Sequence, residues 1–118
     1  MSSLSPEKAE EAIQFYLHQL GELVNQYSKA ADAKAETEAA YRLAWAKSRV
    51  EYRQKAAEEG WRATEAIVDD QATLSTHEEL KARLSAAAVE ESTKLALRAC
   101  SSKLDGARSL AANLRSVT

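Results

Sequence analysis

Between Tyr41 and Arg62, six basic residues (Arg42, Lys47, Arg49, Arg53, Lys55 and Arg62) stand among four large aromatics, Tyr41, Trp45, Tyr52 and Trp61. Only Glu51, Glu58 and Glu59 interrupt them. Cations interleaved with flat rings suit an unpaired nucleic-acid strand, which needs charge opposite its phosphates and π-faces for its bases. At about 100° per residue, Arg42, Arg49 and Arg53 fall within about 20° of one line on a helix. Ala46 lies on that line and leaves the backbone open. Trp45 sits roughly 60° to one side, with Tyr41 and Tyr52 beyond it. Arg42, Lys47, Arg49 and Arg53 are therefore candidate phosphate contacts, with Trp45 and Tyr52 as candidate stacking platforms. The same spacing also describes an amphipathic helix whose rings are core and whose arginines are a solvated face. Pattern alone leaves both readings open.

The elements that must position these residues are helices. Three glycines and one proline leave almost nothing to break a helix, and no run alternates as a strand would. Ser5-Pro6-Glu7 reads as a helix start, and no stop follows until Gly60. Ile13, Leu17, Leu20, Val24, Tyr27, Ala31, Lys34, Glu38, Tyr41, Trp45, Ser48 and Tyr52 keep spacings of four and three, the seam of a coiled coil. Lys34, Glu38 and Ser48 violate its apolar character. Gly60 permits a turn, and Thr64 is placed to cap a short helix carrying Ile67 and Val68. Thr76-His77-Glu78-Glu79 reads as a capping box. The last helix carries Leu80, Leu84 and Ala87, then Leu97, Cys100, Leu104, Ala107, Ala111 and Leu114 at the same spacings. These patterns predict a single all-α domain over 1–118: a helix over about 6–57, a bend and short helix over about 58–75, and a helix over about 77–116.

Composition limits what such a chain can bury. Much of the apolar 45 % is alanine, which removes little area from water. Several copies packed together would bury more, so a homo-oligomer is expected. The net charge of −2 also hides a pattern. Residues 1–40 carry −4, residues 41–62 carry +3, residues 63–92 carry −5, and residues 93–118 carry +4. Blocks of opposite sign can pair within one folded chain or between subunits.

Nothing in the sequence suggests catalysis. There is no nucleophile–base set, phosphate loop or convergent histidine and carboxylate set. Acid pairs such as Asp69-Asp70 and Glu78-Glu79 point about 100° apart on a helix and read as solvated faces. Cys100 falls on apolar spacing and reads as a small buried hydrophobe. His18 and His77 lack partners at ligand spacing, so neither a metal nor another cofactor is expected. No apolar run approaches 18 residues and no leader is evident, so a cytoplasmic, membrane-free protein is expected.

Lys47-Ser48-Arg49-Val50-Glu51-Tyr52 resembles a Lys-x-Arg-[Leu/Val]-[Asp/Glu]-Tyr element of the UvsY-type phage recombination mediators. Cys100-Ser101-Ser102-Lys103-Leu104-Asp105 resembles a late helix of that family with a Cys-Ser-x-x-Leu-Asp core. The resemblance implies a ring-like homo-oligomer that binds single-stranded DNA. It also implies help in loading a RecA-like recombinase onto strands covered by single-strand binding protein, in the host cytoplasm. By that resemblance Lys47 and Arg49 contact the strand, while the C-terminal helix, with Leu97, Leu104, Ala107, Ala111 and Leu114, joins copies. The chain departs from the family in being short and in lacking a glycine soon after Tyr52. The rival expectation is a phage-encoded helical adaptor or inhibitor that acts through protein contacts without nucleic acid.

Overall fold

A computed structural model describes residues 5–117. They form three helices and no strand: α1 over Pro6–Glu59, α2 over Glu65–Ser75 and α3 over His77–Val117. The all-α order of a long, a short and a long helix expected from periodicity is observed, with helix ends within two residues of those expected for α1 and α3. No helix among the described residues is long and apolar enough to cross a membrane.

Local chemistry accounts for each end. The Ser5 hydroxyl accepts the Lys8 N–H at 3.2 Å, and Pro6 opens α1 without losing a donor. At the far end Gly60 takes φ 76°. The Trp61 N–H then donates to the Ala56 carbonyl at 3.0 Å. This six-residue loop satisfies an orphan carbonyl and needs a residue tolerant of positive φ. Thr64 caps α2, its hydroxyl accepting the Ile67 N–H at 3.3 Å.

The α2–α3 junction differs from the expected capping box. Thr76 is the single residue between the helices, and it is buried. Its hydroxyl donates backwards to the Ala72 carbonyl at 2.6 Å, and its backbone N–H reaches the same carbonyl at 3.1 Å. Thr76 therefore closes α2 with its side chain and N–H, while its carbonyl accepts the Leu80 N–H at 2.9 Å and opens α3. With one linking residue, its side chain is turned into the end of α2 and does not cap Glu79.

The chain packs as two units. One joins α1 up to Ala30 with α3 from Glu90 onward. Here Cys100, Leu104, Ala107 and Ala111 are buried, and the Cys100 thiol points at the Tyr16 carbonyl at 3.5 Å. The other unit spans Ala31–Val89 and holds α2, whose Val68 and Ala72 have no exposed area. Most of the buried apolar residues are alanines, with Val68, Cys100 and Leu104 as the larger ones. The core is accordingly thin, as the composition implied.

The expected seam of α1 is the shielded one at Ile13, Leu20, Tyr27, Ala31, Lys34, Glu38, Tyr41, Trp45, Ser48 and Tyr52, and the shielded line departs from it at Leu17 and Val24. Tyr16 and Leu23 are the more shielded residues, while Leu17 and Val24 keep 39 % and 50 % of their area exposed. On α3, Leu84 is 60 % exposed and Arg83 takes the inner position. The apolar stripe is wider than a single facing helix covers, so its centre is buried and its edge is not.

Candidate nucleic-acid interface

Arg42, Arg49 and Arg53 share one side of α1, as helical geometry requires, but their partners separate them. Arg42 turns back on its own helix and meets Glu38 at 3.1 Å. Lys47 lies 4.0 Å from Glu51 one turn on. Both side chains remain open to solvent, at 76 % and 74 % exposed.

Arg49 and Arg53 instead face α2. The Glu65 carboxylate bridges them, accepting from Arg49 at 2.5 Å through one oxygen and from Arg53 through the other. Arg49 Nε also lies 3.3 Å from Asp69 Oδ1. That contact is a charge pair without hydrogen-bond alignment, since neither atom has a hydrogen-bond partner. The Thr64 cap places Glu65 in the first turn of α2, where its charge also suits the helix dipole. Two arginines of the candidate strand site are thus occupied by the chain's own acids.

The rings are occupied as well. The Arg49 guanidinium lies over Trp45 with its carbon 4.8 Å from the ring centroid. Tyr52 meets Trp61 edge-on, centroids 5.1 Å apart. Arg83 of α3 covers Tyr41 at 5.1 Å. Tyr41 thus joins α1 to α3 and Tyr52 joins α1 to the turn after it, whereas Trp45 is covered within its own helix; Trp45 and Tyr52 are half-buried.

The neighbouring groove adds little positive charge. It is lined by Lys47, Ser48, Glu51, Ser75, Thr76 and Glu79, two acids to one base. Lys55 sits in an adjoining cleft with Glu51, Tyr52 and Gln71. Among the described residues no three His, Cys, Asp or Glu side chains converge as a metal set.

The residues expected to join copies lie in the chain's own packing. Leu104, Ala107 and Ala111 are buried within the single chain, and Leu97 and Leu114 are half-buried. The last part of α3 returns against the start of α1, so its apolar face finds a partner in its own molecule.

Residue types missed Glu65 and Asp69 as partners of the arginines, because acids on a helix read first as solvated. The signal that pointed to them was the alternation of charge blocks: the basic block at 41–62 meets the acidic block at 63–92. No family model, curated protein or solved structure matches this chain.

Proposed function

We propose that this chain is a non-enzymatic helical interaction protein that works through protein–protein contacts. The observation that carries this reading is the Glu65 bridge. The cations best placed for phosphate are neutralised at home, while large apolar side chains such as Leu43 and Leu74 stand 72 % exposed. A polyanion would have to displace a carboxylate already seated on two guanidinium groups, whereas an apolar partner surface displaces only water.

Single-stranded DNA binding of the UvsY type, with a RecA-like recombinase as partner, is the second reading. It is favoured by the exposure of Arg42 and Lys47. A gel-shift titration with short single-stranded oligonucleotides at low and moderate salt decides between them. The protein-binding reading expects no salt-sensitive shift. A shift that weakens steeply with added salt would reverse the order, because strand binding releases counterions.

A further inference from the structure

Glu91, Lys94, Arg98, Ser101, Asp105 and Arg108 follow spacings of three and four along α3, so they form one row beside its buried line. All are exposed except Lys94, which is half-buried. Among the described residues no ion pair engages Glu91, Lys94, Arg98, Asp105 or Arg108. The order of these charges carries information. Forward, the row runs acid, base, base, serine, acid, base; reversed, it runs base, acid, serine, base, base, acid. Laid against itself in the opposite direction, it sets Glu91 on Arg108, Lys94 on Asp105 and Arg98 on Ser101. We infer that the unit formed by the two chain ends pairs with a second copy of itself, antiparallel, about a two-fold axis level with the midpoint between Ala99 and Cys100. Each ion pair then occurs twice, as a two-fold contact requires.

The pattern selects the occupant. A copy in the same direction would set each charge against its own kind. An acidic partner helix would repel Glu91 and Asp105, and a basic one would repel Lys94, Arg98 and Arg108. The antiparallel copy answers both signs, and every molecule carries it. The first half of α1 agrees with the same axis. The Cys100 thiol meets the Tyr16 carbonyl, so Leu17 stands level with the midpoint of the row. Helical geometry places Leu17 and Val24 on the side of the unit that carries the row. The two-fold brings Leu17 against Leu17 of the second copy and Glu10 against Val24 of the second copy, so no acid meets an acid. Leu17 and Val24, which α3 leaves exposed, gain cover in the resulting four-helix arrangement. This contact uses residues other than Leu43 and Leu74, so its failure leaves the reading above standing.

The test is sedimentation equilibrium of the full chain and of two variants, Glu91→Lys and Arg108→Glu. The wild type should dimerise in the micromolar range, more weakly as salt rises. Each variant sets like charges together twice in its own dimer. Each should therefore dimerise at least tenfold more weakly, while keeping its helical circular dichroism, since both side chains are exposed. An equimolar mixture of the two variants should recover wild-type dimerisation, because each altered charge then faces its opposite on the other chain. Recovery in the mixture separates contact between chains from any effect within one. A wild type that stays monomeric over that range leaves the row to a foreign partner and overturns the proposal. Variants that dimerise like the wild type overturn it as well, and so does a mixture no tighter than either variant by itself. A closed assembly of more than two copies overturns the two-fold.

Discussion

Arg49 is sandwiched between Trp45, whose ring centroid lies 4.8 Å from the guanidinium carbon, and Glu65, whose carboxylate it meets at 2.5 Å. One cation thereby ties a ring on α1 to the first turn of α2. Its side chain is only 23 % exposed, against 47 % for Arg53 beside it. The ring shields the charge and the carboxylate balances it, so the guanidinium is more a fastener than a surface group.

Glu65→Gln should therefore loosen α2 without unfolding the protein. Glu65 itself is 70 % exposed, and such pairs contribute up to about 1 kcal/mol. Urea unfolding should show a small drop in midpoint at low ionic strength. The difference between wild type and variant should shrink at high salt, where exposed charges are screened. A drop that persists undiminished would mean that the bridge acts through packing and not through charge.

Two glycines should respond to alanine with opposite signs. Gly21 lies inside α1 with open space where a Cβ would stand. Gly21→Ala should stabilise the protein by ~0.5–1 kcal/mol, because alanine loses less freedom in a helix. Gly60 has equally open surroundings but φ +76°. Gly60→Ala should destabilise by ~1–2 kcal/mol from backbone strain alone. Thermal unfolding of the two variants, compared side by side, reads the sign directly.

Leu104 and Leu84 offer a matched pair on α3. Leu104 is 3 % exposed and Leu84 is 60 % exposed. Leu104→Ala should cost about 2–5 kcal/mol, the loss of buried methyl groups plus the cavity left behind. Leu84→Ala should stay within about 0.5 kcal/mol. Equal losses at the two sites would show that α3 turns a different face inward.

The cap of α2 gives a local test. Thr64→Ala removes the acceptor for the Ile67 N–H and should cost ~1 kcal/mol. Hydrogen exchange should quicken in α2 before it changes in the unit formed by the two chain ends, because α2 belongs to the other unit. Uniform quickening across both units would mean that they open together.

Ser5, Gly60 and Thr64 fix helix ends through bonds within a few positions, so their effect is readable from adjacent letters. Thr76 was misread because its hydroxyl had two nearby uses, and the one-residue link decided for the Ala72 carbonyl. The choice of Tyr16 and Leu23 over Leu17 and Val24 required knowing where α3 lies against α1, since a stripe several residues wide has no unique centre. Arg49 and Arg53 look free in sequence because Glu65 lies more than ten positions away and comes near only once the chain bends at Gly60.

The pairing of residues up to Ala30 with those from Glu90 onward sets an order of events during synthesis. The first half of α1 leaves the ribosome long before its covering helix has been made. Until residues from Glu90 onward have been made, Ile13, Leu20 and Leu23 lack the helix that covers them, and a nascent chain in that condition is open to aggregation. Closing that unit requires contacts between residues up to Ala30 and residues from Glu90 onward, far apart in sequence, which slows folding relative to a bundle of sequence-adjacent helices. Removal of α3 from Glu90 onward therefore strips the first half of α1 of its cover.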